Sequence, residues 1–307
     1  MPFDPASPYG INTHLPSAAQ LDQAAAAGIA WVRVDFNWDM LEPTRGGYDW
    51  TVTDAVVNAA RVRGLEVYPT LAYTPGWANG GQGRGVTATD PQDWYRFVHE
   101  TVRRYRDRVN HWGLWNEPNS TLAGTRRQYI NEVLQVGARA VREADAAGRV
   151  LGPELALVGQ WYLWLYQVLA QAGDALDVVT QHAYDDSGMA VLGHLLQVRG
   201  IMQGAGAKEL WLTETGWRTD EVSEEAQAAN YAQVLEGVEA YDWLAKVFFY
   251  ELVDDPTSAA KYGILHSDLT PKPAYHTYQG HIAAHAPGVG PRPPGPGPLA
   301  RLDDQDV

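Results

Sequence analysis

Apolar and polar positions along this chain recur in one repeated form. A short apolar run, the length of a buried strand, is followed by a stretch with apolar residues three and four apart, the spacing of a helix face. Residues 9–13 read as a first strand. Ser17 is suited to cap a helix that runs through the following alanines to Gly28, a residue suited to a left-handed stop. Residues 29–35 form a second strand, with Trp31, Arg33 and Asp35 on one face and Val32 and Val34 on the other. Asp49 or Thr51 opens a helix ending at Gly64, and residues 65–71 make a third strand. A glycine-rich loop follows, and Asp90-Pro91 supplies a helix N-cap and first helical residue.

The same unit continues to the end of the apolar pattern. Strand four lies in 109–119, with its helix over about 125–147. Weaker strand five covers 149–152, and the apolar stretch 155–170 reads as a strand end plus a core helix. Strands six, seven and eight fall at 176–182, 210–213 and 246–250. Eight strand–helix units of about 35 residues each predict an α/β fold, a single-domain (β/α)8 TIM barrel over residues 1–285. A doubly wound open sheet is the alternative, but no Gly-x-Gly-x-x-Gly follows the first strand. From 286 to 307 the chain becomes rich in Pro and Gly and then polar, which predicts a disordered tail or a linker stub.

Two strand ends carry candidate chemistry. Val109-Asn-His-Trp-Gly-Leu-Trp-Asn116-Glu117 runs apolar into an Asn-Glu pair stopped by Pro118, and Lys208-Glu-Leu-Trp-Leu-Thr213 runs into Glu214. Two carboxylates at one rim of a barrel are what glycosidic bond cleavage needs, one to protonate the leaving oxygen and one to attack or to activate water. Position alone adds His14, Arg33, Asp35, Tyr73, Trp77, Asn116, His182, Tyr184, Trp217, Tyr250 and Glu251 to that rim.

Composition narrows the partners. The net charge of −14, with no basic run longer than Arg103-Arg104-Tyr105-Arg106, disfavours nucleic acid and anionic membrane surfaces. No apolar run is long enough to span a bilayer, and residues 1–5 carry neither the basic nor the apolar region of a signal peptide, so localisation stays open. The chain has no cysteine and no His-Glu-x-x-His, so neither a metal nor an organic cofactor is expected. The expected partner is a poly- or oligosaccharide, and the expected state a monomer. Most of the twelve Trp and sixteen Tyr are expected in the core, with Trp77 and Trp217 as sugar-stacking platforms in mouth loops.

Trp115-Asn116-Glu117-Pro118 and Thr213-Glu214-Thr215-Gly216-Trp217 resemble the strand-four and strand-seven motifs of clan A glycoside hydrolases, retaining enzymes on (β/α)8 barrels. Arg33 and His182-x-Tyr184 also match that pattern, and the likeness is nearest to family 39 and its family 5 relatives. The resemblance implies Glu117 as general acid/base and Glu214 as nucleophile, with carboxyl groups about 5–5.5 Å apart, and Asn116 beside the sugar 2-OH. Glu117 would hold its proton through burial near Trp115 and the negative Glu214, while Arg33 and Tyr184 would keep Glu214 ionised. His14 and Tyr250 complete the substrate-binding set, Tyr250 standing where this clan often places Trp. Long segments after strands two, three and eight (36–48, 72–89 and 251–271) predict an open groove and cleavage within chains. The rivals are an exo-acting β-xylosidase-like hydrolase and a glycan-binding barrel without catalysis.

Overall fold

The structure, a computed structural model, describes residues 5–206 and 208–285; the tail expected over 286–307 lies outside them. Eight parallel strands close into a barrel in sequence order: β1 Tyr9–His14, β2 Trp31–Asn37, β3 Glu66–Ala72, β4 His111–Leu114, β5 Arg149–Leu155, β6 Val178–His182, β7 Glu209–Thr215 and β8 Leu244–Phe249. Pairing of β1 with β8 completes the ring. Helices return the chain between strands and form the outer layer, from Ala18–Ala26 after β1 to Pro273–Ala284 after β8. The expected (β/α)8 barrel is the fold observed. None of its described helices is long and apolar enough to cross a membrane.

The strands form where the apolar runs stand because a barrel strand is covered on both faces, by side chains inside and helices outside. Alternation along β2 sends Val32, Val34 and Phe36 into the main core, while Trp31 joins Tyr68, Leu151, Val178, Trp211 and Phe248 in a separate cluster that fills the barrel interior. Two residues further along come Arg33, Thr70 and Thr180, all buried, so the interior turns polar towards the C-terminal rim. Helix starts follow the predicted signals. Ser17 and Gln20 form a reciprocal capping box, and Asp90 accepts from the Gln92 N–H ahead of Pro91. Gly28, at φ 85°, ends the first helix as expected.

Strand five departs from the expected 149–152. It continues through Pro153 to Leu155. Proline is tolerated there because β4 pairs with β5 only as far as Gly113–Leu151, leaving the Pro153 position with β6 as its one ladder neighbour. A register shift between Pro153 and Leu155, with Glu154 at φ 51°, turns the Glu154 side chain into the barrel. The helix expected over 125–147 is present in three parts, with a π-helical turn at Tyr129–Leu134 between Arg126–Gln128 and Gln135–Ala144.

Candidate active site

Arg33 is the hub of the rim. Alternation on β2 carries its guanidinium to the barrel axis, where it is 4% exposed and reaches four other strands or strand ends. Nη1 donates to Glu214 Oε1 at 2.6 Å and to Asn12 Oδ1 at 2.8 Å. Nη2 donates to Glu154 Oε2 at 2.6 Å and to Asn116 Oδ1 at 2.8 Å. A planar fork with fixed charge suits this task, since each acceptor is met in a defined direction.

Glu214, near the end of β7, receives a second donor from the Tyr184 hydroxyl, 2.9 Å from Oε2. Its strand is tied to the neighbours by Asn12 Nδ2, which donates to the Thr213 carbonyl, and by the Ala183 N–H, which donates to the Glu214 carbonyl. Glu117 lies three residues past β4, at φ 45°, and begins the one-turn helix Pro118–Thr121. Its N–H donates to the carbonyl of Glu154 at 3.0 Å, so the β5 bulge fixes its backbone. Its Oε1 lies 2.9 Å from His182 Nδ1, and Oε2 accepts from the Ser120 hydroxyl at 3.0 Å.

His182 ends β6 and is fully buried. Burial favours the neutral ring, but Glu214, Glu117 and Glu154 together outweigh burial and the opposing Arg33, raising its pKa to about 9. The consequence for Glu117 corrects the expectation of an elevated carboxyl. Burial does push Glu117 up, yet hydrogen bonding and charge from His182, the Ser120 hydroxyl and Arg33 hold it below its ordinary value. The proton of this pair therefore rests on the imidazole.

A third carboxylate lies beneath both. Glu154 is completely buried, accepts from Arg33 and from the Tyr68 hydroxyl, and has Oε2 3.8 Å from His182 Nε2. Burial opposes its charge, but Arg33, His182 and Tyr68 prevail and hold its pKa at about 2. Glu154 lies between the predicted strand at 149–152 and the apolar stretch from 155, and the signal that could have found it is that this stretch continues the same strand. Asn12, one residue inside the end of the first predicted strand, was missed as well.

The opposite wall holds His14, whose Nδ1 lies 2.9 Å from Asp35 Oδ2 and whose Nε2 lies 3.1 Å from both the Tyr250 hydroxyl and Glu251 Oε2. Hydrogen bonds to Asp35 and Glu251 raise its pKa to about 10, against a partial desolvation of a ring that stays 48% exposed. Asn116 Nδ2 donates to the Tyr73 hydroxyl at 3.3 Å. His14, Asp35, Tyr73, Asn116 and Tyr250 line a cavity of about 250 Å³ that also touches Glu117 and Glu214. A larger cavity of about 440 Å³, between the segments after β1 and β8, shares His14 with it. Glu117, His182 and Glu214 present donor atoms within 4.8 Å of one another, the reach of one cation. Arg33 already supplies positive charge there, 2.6 Å from Glu214.

The two tryptophans expected as sugar platforms stand elsewhere. Trp217 is 4% exposed, with Nε1 donating to the Asp185 carbonyl and its ring edge-on to Tyr231, so it has no face to offer. Trp77 is half-buried against Trp38, with Nε1 donating to the Glu42 carbonyl and Arg45 over its ring; it does not line the 250 Å³ cavity. Both follow strand ends as expected, but their indole N–H groups pin the surrounding segments.

Residues 17–136 match a family model described as a β-galactosidase, a span that includes Arg33, Asn116 and Glu117. Endo-1,4-β-xylanase B of Humicola insolens is 30% identical over 118 residues, 37% of this chain and 32% of the xylanase. Among solved structures, a family 39 glycoside hydrolase from Bacteroides cellulosilyticus aligns with a TM-score of 0.76 at 20% identity, over 89% of this chain and 62% of that one. The chain is thus similar to clan A glycoside hydrolases, with the family match confined to residues 17–136 and the solved structures sharing its fold. A family 39 β-xylosidase from Caulobacter crescentus (TM-score 0.74, 20% identity, 92% of this chain and 72% of that one) has the same fold. So has a GH5_18 protein from Streptomyces cattleya solved with GlcNAc (0.76, 18%, 94% and 82%). The chain spans about a third of the curated xylanase it matches and under two thirds of the Bacteroides enzyme.

Proposed function

We propose that the protein is a retaining β-glycoside hydrolase that cleaves within chains of a poly- or oligosaccharide by double displacement. The observation that carries this reading is the spacing of the two carboxylates. An oxygen of Glu117 and an oxygen of Glu214 lie within 4.8 Å of each other, closer to the about 5–5.5 Å between carboxyl groups of retaining enzymes than to the roughly 6.5–9.5 Å of inverting ones.

Glu214, oriented by Arg33 and Tyr184, attacks the anomeric carbon. The bond to the leaving oxygen breaks as that oxygen takes a proton from the Glu117–His182 pair. Glu214 is then an uncharged ester, and the largest electrostatic support for protonated His182 is gone. The pair's hold on its proton weakens in the step that spends it, and Glu117 is left as a base beside a neutral ring. It takes a proton from water, the water oxygen attacks the anomeric carbon, and Glu214 departs as a carboxylate. Asn116, fixed by Arg33 and Tyr73, is in reach of the sugar 2-OH, where a hydrogen bond strengthens as positive charge develops on the ring.

Cleavage within chains is supported by the second, larger cavity beside the first, which offers room for a neighbouring unit, and by the long segments after β2, β3 and β8. The named relatives include both a xylanase and a β-xylosidase, so xylan is the first polymer to assay. An early fall in viscosity with mixed oligosaccharides is expected. Release of monosaccharide alone from the first minutes would favour the exo-acting reading, and no turnover of any aryl β-glycoside would leave a glycan-binding barrel.

A further inference from the structure

Of the groups the proposed reaction does not use directly, Glu154 is the most costly to keep. An ionised carboxylate with no exposure must be compensated on every side. It is: Arg33 Nη2 lies 2.6 Å from Oε2, Tyr68 donates to Oε1, and the Thr70 hydroxyl lies 3.5 Å from Oε2. The backbone makes way for it as well. At Gly113 a Cβ would stand 2.8 Å from the Tyr68 hydroxyl and 3.1 Å from Glu154 Oε1, so a side chain there would press on the pair.

Its two cationic neighbours are the partners of the proposed catalytic pair. Arg33 bridges Glu154 to Glu214, and His182 bridges it to Glu117, with Nδ1 on Glu117 and Nε2, which has no hydrogen-bond acceptor, 3.8 Å from Glu154. We propose that Glu154 is a positioning residue for both carboxylates: through Arg33 it aims the nucleophile, and through His182 it keeps a proton in reach of the leaving oxygen. The proposal rests on the glycosidase reading for the identity of the reaction.

The charges facing His182 set the sign. They are Glu117 past β4, Glu154 on β5, Glu214 on β7 and Arg33 on β2, with the Tyr184 and Tyr68 hydroxyls turned to Glu214 and Glu154. With the ring protonated, these ionisable groups carry two positive and three negative charges. Glu154→Gln removes one negative charge at constant shape, so His182 must lose its proton at lower pH.

The test has two readouts. Ring ¹⁵N NMR follows the titration of His182, assigned by its loss in His182→Asn, and needs no turnover. The pH profile of kcat/KM is taken on aryl β-glycosides with poor and good leaving groups. In Glu154→Gln the ring titration and the basic limb should both move about one pH unit towards acid. Turnover of the poor leaving group should fall about tenfold or more, while a dinitrophenyl glycoside, which needs little protonation, should lose far less. Should Glu154→Gln fail to fold, Glu154→Asp keeps the charge but withdraws it by one methylene, and His182 should again titrate lower. A His182 titration unchanged in the folded variant overturns the proposal. Wild-type protein without turnover sinks the glycosidase reading instead.

Discussion

Glu117 and His182 meet at 2.9 Å with the proton on the imidazole, the reverse of what a buried acid between aromatics leads one to expect. The pair therefore sets the pH range of activity as a unit. The basic limb of kcat/KM should lie near the upper range of His182, about 9, rather than in the carboxyl range. His182→Asn should bring it down to where Glu117 titrates alone. A wild-type limb below pH 6 would show that His182 does not hold the proton.

Stability follows from the same shift. His182 is raised from 6.5 to about 9, so its contribution is fully present below pH 6.5 and is lost as pH rises through about 9. Glu154 is lowered from 4.5 to about 2, so its contribution is present above pH 4.5 and is lost as pH falls towards 2. Tm should decline on both sides of the interval from 4.5 to 6.5. The alkaline decline should be shallower in His182→Asn, and an equal slope would place its origin elsewhere.

The roles of the two carboxylates separate by chemical rescue. Glu214→Gly with azide should yield the α-azide of a β-substrate, since azide enters in place of the nucleophile. Glu117→Ala should yield the β-azide by intercepting the glycosyl-enzyme, and should lose about 10²–10⁴ in rate on poor leaving groups without azide. Exchanged products would mean exchanged roles.

Trp217 tests the aromatic reading. With its ring buried and Nε1 bound to the Asp185 carbonyl, Trp217→Phe should cost about 1 kcal/mol of stability and leave KM within about twofold. A large rise in KM without a change in Tm would return it to the substrate site.

The barrel was legible because its strands stand on mostly buried apolar runs and some helix ends carry clear signals; Ser17, Asp90 and Gly28 act where the sequence placed them. The site was legible where motif and strand end coincide, at Asn116-Glu117 and Glu214. Glu154 was hidden because its inward aim comes from a bulge after Pro153, and a bulge inverts the alternation by which faces are read. The Glu117 proton was misplaced for a similar reason. Its partner, His182, is 65 residues away in sequence, and no local pattern reports the charge balance of four strands. Loop tryptophans misled because a loop position does not reveal whether a ring covers the mouth or anchors the loop.

Double displacement at Glu117 and Glu214 is the central claim, and the anomer of the first-formed product tests it most directly. Proton NMR during hydrolysis of an aryl β-glycoside, read before mutarotation, should show the β-anomer appearing first. The α-anomer appearing first would mean a single displacement by water and would contradict Glu214 as the nucleophile.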